Sequence, residues 1–105
     1  MVLPSTIKAI GNRAFYSSGL EGRLYLPSSL ETIGEEAFYG CDKIKGDLII
    51  PDSVRFIGDR AFADSGVGKR VYGGKGLLEI GKDAFKGSGI DYSVLLPPIS
   101  TLLGL

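Results

Sequence analysis

The chain has no histidine and no tryptophan, one cysteine and one methionine among its 105 residues. Without histidine the commonest general base is missing, and Cys41 has no imidazole to make it a thiolate. A single cysteine excludes an internal disulfide and leaves the redox compartment open. No His/Cys/Asp grouping has the spacing of metal ligands, so neither a metal nor any other cofactor is implied. Lysine and arginine total 12 and aspartate and glutamate total 12, so the net charge is zero. That removes the electrostatic argument for nucleic acid or an anionic membrane as partner. No apolar run approaches the roughly 18 residues that cross a bilayer. The opening MVLPSTIKAIG lacks the basic start and apolar stretch of a signal peptide.

What the chain has in quantity is glycine, 16 residues, and a phrase that returns. LPSTIKAIGNRAF, LPSSLETIGEEAF, IPDSVRFIGDRAF and GGKGLLEIGKDAF share one register. Phe15, Phe38, Phe62 and Phe85 recur at intervals of 23, 24 and 23 residues, each preceded by alanine. Ile10-Gly11, Ile33-Gly34, Ile57-Gly58 and Ile80-Gly81 keep the same spacing. Leu96, Pro97, Leu103 and Gly104 begin the pattern again. The repeats are read as 3–25, 26–49, 50–72 and 73–95, with a partial fifth at 96–105, so that one domain fills 1–105. A period of 23 or 24 lies in the leucine-rich repeat range, and such units are stable only when each covers the next.

The apolar spacing predicts one short parallel strand per coil. Leu48 and Ile50 face inward and Ile49 outward, with equivalents at Leu24 and Leu26, Val71 and Gly73, and Val94 and Leu96. The Ile-Gly pair is expected to lead into a tight 3₁₀ or helical turn carrying Ala and Phe. The phenylalanines should then stack as a spine, and Cys41 should lie in the core.

The pattern L-P-x-S-ϕ-x-x-I-G-x-x-A-F-x-x-C/S resembles the BspA-like, or Treponema-type, leucine-rich repeat family over the whole chain. Cys41 stands where that family often has cysteine, and Ser18, Ser65 and Ser88 take the other three positions. Repeat 4 departs from the pattern at VYGGKG, where the proline is lost. The resemblance implies a leucine-rich-repeat solenoid, mostly β, with 3₁₀ or turn segments opposite the strands and no long helices. It also implies part of a larger bacterial or protist protein, extracellular or on the cell surface, that adheres to host proteins or other cells.

Stacked coils place equivalent residues about 4.8 Å apart. Three columns alternate in sign: Lys8, Glu31, Arg55; Arg13, Glu36, Arg60, Asp83; and Arg23, Asp47, Arg70. Charge reversal at Glu36 should therefore harm more than at Glu35. Glu35 stands between Asn12 and Asp59, so its reversal should be neutral or mildly favourable. GVGKRVYGGKG lacks the G-x-x-x-x-G-K-[ST] form of a phosphate loop, and Lys69, Arg70 and Lys75 make only a small basic patch.

An enzyme is thus disfavoured. The candidate partner-binding surface is the outward strand column Tyr25, Ile49, Tyr72 and Leu95 with its neighbours Arg23, Asp47 and Arg70. Tyrosine and arginine are enriched where proteins bind one another. The same residues are also good strand formers that support each other between coils. The expected role is a binding module for a protein or glycan; the alternative is a structural spacer that projects another domain. No capping unit is recognisable at either end. The chain is expected to be a fragment of a longer array or an assembling unit, self-associating by stacking or by exchange of the partial fifth coil.

Overall fold

The computed structural model describes residues 3–68 and 70–105. Two parallel sheets run down the stack of repeats. The first has four two-residue strands, β1 (Ala9–Ile10), β2 (Thr32–Ile33), β4 (Phe56–Ile57) and β6 (Glu79–Ile80), in the order β1-β2-β4-β6. The second pairs β3 (Leu48–Ile50) with β5 (Val71–Gly73). In both, the isoleucine or leucine of one repeat lies beside its equivalent in the next: Ile10↔Ile33, Ile33↔Ile57 and Ile57↔Ile80 in one, Leu48↔Val71 in the other.

The four-stranded sheet corrects the expectation of one strand per coil: the isoleucines of the Ile-Gly pairs end a further strand, and the expected turn follows their glycines. Their glycines follow because neighbouring backbones touch there. A Cβ on Gly34 would lie 2.6 Å from the Asn12 nitrogen, and one on Gly58 would lie 2.5 Å from the Glu35 nitrogen. Only a residue without a side chain allows that approach.

The Ala-Phe segment is a chain of hydrogen-bonded turns rather than a 3₁₀ helix. Its N–H groups alternate in direction. Those of Ala37, Tyr39 and Cys41 donate within the coil to the carbonyls of Gly34, Glu36 and Phe38, at 3.2–3.3 Å. Those of Glu36, Phe38 and Gly40 donate to Asp59, Ala61 and Ala63 of the next coil, at 2.7–3.0 Å. This alternation needs a left-handed residue at the same place in every repeat: Arg13, Glu36, Arg60 and Asp83 all have φ between 53° and 56°. Each such non-glycine residue costs on the order of 1 kcal/mol, offset by the bonds made to the next coil.

The side chains between the sheets and these turns form the core. Phe15, Phe38, Phe62 and Phe85 stack with centroids 5.2, 5.2 and 5.4 Å apart and planes within 9° of parallel. Phe38 and Phe62 are fully buried, with Leu30, Val54 and the alanines Ala37 and Ala61 filling beside them. Cys41 is fully buried as well; its thiol donates to the Phe15 carbonyl at 2.9 Å. Ser65 and Ser88 use their hydroxyls instead on Phe62 and Phe85 of their own coils, at 2.7 and 2.6 Å. A small residue that can donate is what this position requires.

Two strand expectations fail at the ends of the second sheet. At 24–26 only Tyr25 makes a bridge, and Leu24 is buried without a strand around it. At 94–96 there is no strand. Asp91 accepts from the Ser93 N–H at 3.0 Å and starts a 3₁₀ turn over Tyr92–Val94, which rotates Leu95 into the core and Leu96 out of it. The segment read as a partial fifth coil carries a helix, α1 (Ile99–Leu102). Ile99 is buried, and Leu102 and Leu103 pack on the same core. This tail covers part of the C-terminal face of the stack that was expected to be open, while Val94, Leu96 and Leu105 stay exposed there.

Candidate partner-binding face

The outward column survives as a surface at three of its four residues. Tyr25 is 52% exposed, Ile49 53% and Tyr72 41%. Strand alternation puts Ile49 and Tyr72 there: Leu48 and Ile50 on either side of Ile49 are buried, and Ile49 pairs directly with Tyr72. Leu95 does not belong to this face. It is buried, and its neighbours Val94 and Leu96 are the exposed ones. The parity counted from Val71 and Gly73 holds only while a strand continues, and the 3₁₀ turn breaks it.

The charged neighbours are tied to the aromatic rings. The Arg23 guanidinium lies over the Tyr25 ring, 5.4 Å from its centroid. Arg70 donates to the Tyr72 hydroxyl at 3.3 Å, and that hydroxyl donates to Asp47 at 3.5 Å. These bonds, the phenol first, hold Arg70 still more firmly in its charged form. The rings are thereby fixed on an open face, which lowers the entropy a partner would have to remove. A cavity of about 140 Å³ opens between Arg23, Tyr25, Leu26 and Ile49. Alternation along the strand was legible in the sequence; the Arg70–Tyr72–Asp47 link, which crosses from β5 to the entry of β3, was not.

The other sequence candidates are placed as follows. Lys69 lies outside the described residues, and Lys75 follows the end of β5. Gly66 and Gly68 sit against the backbone carbonyls of Ile44 and Gly46, so these glycines serve close packing rather than a phosphate cradle. Among the described residues no group of three or more His, Cys, Asp or Glu could hold a metal ion, and no helix is long and apolar enough to cross a membrane.

The charge columns are realised unevenly. Glu36 is nearly buried, with Arg13 at 2.8 Å and Arg60 at 3.4 Å. Glu35 is not flanked by Asn12 and Asp59 alone, because Arg60 also stands 3.6 Å from it. Its reversal therefore loses a weak exposed pair and is not favourable. Glu36→Lys should still be clearly the more destabilising, with the gap narrowing in high salt. The hydrogen bond from Arg13, aided by Arg60, keeps the Glu36 carboxyl below the usual glutamate range against the opposing effect of burial. A carboxylate with a lowered folded pKa adds stability above its unfolded value, and that stability is lost as pH falls through the folded value. The wild type should accordingly lose more stability than Glu36→Gln once pH drops below about 4.3. Denaturant midpoints across an acid series are the check; equal losses would show the triad to be inert.

Short parallel strands repeating at a spacing of 23–24 residues, with a phenylalanine spine behind them, define a leucine-rich repeat protein. The family model described as "BspA type Leucine rich repeat region (6 copies)" matches residues 1–102. The chain belongs to that family. No curated protein and no solved structure matches it significantly.

Proposed function

We propose that the chain is a non-catalytic binding module, a solenoid segment spanning 1–105 as one domain, whose β3–β5 face takes a protein or glycan partner. BspA-type repeats are typically protein-binding, surface modules, and that supports a role in adhesion outside the cell, at a bacterial or protist surface. The observation that carries the reading is the exposed row Tyr25, Ile49 and Tyr72 with Arg23, Asp47 and Arg70 locked beside it. Large rigid rings beside arginine are what dominate binding energy at protein interfaces. Buried strand residues explain Leu48 and Ile50; they do not explain two tyrosines facing solvent.

The test is capture on arrays of extracellular matrix proteins and glycans, comparing the wild type with Tyr25→Ser/Tyr72→Ser. Both residues are exposed, so the double variant should keep its fold. Capture by the double variant should fall at least about tenfold below that of the wild type, a loss of about 1.4 kcal/mol. Undiminished capture would move the site elsewhere. A wild type that captures nothing would favour the spacer role.

A further inference from the structure

The missing fifth strand leaves β5 with an open edge. The Leu48 N–H donates to the Arg70 carbonyl at 3.1 Å, and the Gly74 N–H donates to the Ile50 carbonyl at 2.8 Å. Residues 70, 72 and 74 therefore turn their backbone groups toward β3. Alternation turns the N–H and C=O of Val71 and the N–H of Gly73 the other way. In the regular stack the next coil would meet them there. Here residues 92–97 direct their backbone bonds to Asp91, Tyr92 and Ser100, and none reaches Val71 or Gly73.

The space beside this edge is a groove of about 190 Å³ between Val71–Gly73 and the side chains of Val94, Leu96 and Pro97. Val94 and Leu96 are 45% and 72% exposed. Lys75 lines its far end, and among the described residues its ammonium makes no ion pair. The nearest carboxylate contact is made by its backbone: Asp52, on the β3 side, accepts the Lys75 N–H at 3.2 Å.

We infer that this groove binds the C-terminal end of an extended peptide, added to β5 as a parallel strand with its terminal carboxylate at Lys75. An unpaired strand edge calls for main chain, not for a compact ligand. The groove has the volume of about six waters, enough for one medium apolar side chain. Charge sets the direction. A parallel strand brings its negative terminus to Lys75, which makes no ion pair among the described residues, whereas an antiparallel one would bring its ammonium there and its carboxylate to Arg70, which already donates to the Tyr72 hydroxyl. Backbone shape sets the length. Gly73 and Gly74 both turn left-handed, with φ of 79° and 69°, so β5 bends away and an added strand has nothing to pair with beyond this point. The site borders the proposed face and shares Tyr72 with it, but it uses the edge of the sheet rather than its outer surface and does not involve Tyr25.

The test titrates ¹⁵N-labelled protein with the peptide acetyl-Ser-Thr-Val-Thr-Val, as the free acid and as the C-terminal amide. The amide resonances of Val71 and Gly73 should shift, and the free acid should bind at least about tenfold more tightly, as loss of a charge-assisted bond implies. Lys75→Met should remove that preference while leaving the weak binding of the amide. Tyr25→Ser should change neither, which separates this site from the face. Equal affinity for acid and amide, shifts confined to other residues, or no shift at about 1 mM peptide, where binding free energy is only about −4 kcal/mol, would overturn the inference.

Discussion

Phe62→Ala should remove about 3–5 kcal/mol of stability, the usual cost of emptying a phenylalanine site in a core. The ring is fully buried and stacked on both faces, 5.2 Å from Phe38 and 5.4 Å from Phe85. Truncation leaves a void between two coils. The coils cannot close over it, because the Phe62 N–H is held by the Ala84 carbonyl and the Ala61 carbonyl by the Phe38 N–H, both at 2.7 Å. Phe38→Ala should behave alike, with rings on both sides and no exposure. Phe15→Ala should cost less, since Phe15 is only partly buried and stacked on one face. For a domain of this size, several kcal/mol is a large part of the whole stability. Denaturant melts give the comparison, and a loss below about 1 kcal/mol at Phe62 would mean that the spine is not what holds neighbouring coils together.

Gly58→Ala should be nearly as damaging, at about 3 kcal/mol, the upper end for overpacking. The added methyl would lie 2.5 Å from the Glu35 nitrogen and 2.7 Å from the Gly34 carbonyl carbon. Both are backbone atoms, so the coils must separate, which stretches the 2.8 Å bond from the Gly58 N–H to the Ile33 carbonyl. Gly11→Ala supplies the control. It has the same place in the motif and follows the same isoleucine, but nothing lies within 4 Å of its Cβ position. There the substitution should be neutral or slightly stabilising, through the lower entropy of the unfolded chain. Equal effects at the two glycines would show that coil spacing is looser than these distances state.

The repeating positions were legible because each is fixed by its equivalents one coil away. The phenylalanine spine and the burial of Cys41 follow from register alone: a large ring every 23 or 24 residues can be covered only by the next ring. The outward direction of Tyr25, Ile49 and Tyr72 was legible for the same reason, since β3 and β5 are true neighbours with Ile49 opposite Tyr72. The four-stranded sheet was hidden because a two-residue strand carries no alternation to count, and its glycines read locally as turn residues. The Ala-Phe segments became turns because half of their N–H groups serve the neighbouring coil, a demand that no single coil announces.

The tail shows where register stops being a guide. By alignment Leu96, Pro97, Leu103 and Gly104 continue the repeat, and so Leu95 was expected to face outward. A signal against it was present in Pro97-Pro98, since proline favours the first positions of a helix and suits a central strand poorly. The packing outcome could not be read from it. With α1 laid on the end of the stack, Ile99 and Leu95 fill the core that a fifth coil would have covered, and the edge of β5 is left open. The sequence by itself determined the family, the period and the column each repeated residue occupies, because those are properties of neighbours in register. Only the tertiary structure decided which groups face outward at 92–97 and which backbone donors of β5 have no partner among the described residues, because the 3₁₀ turn there sets no strand beside β5.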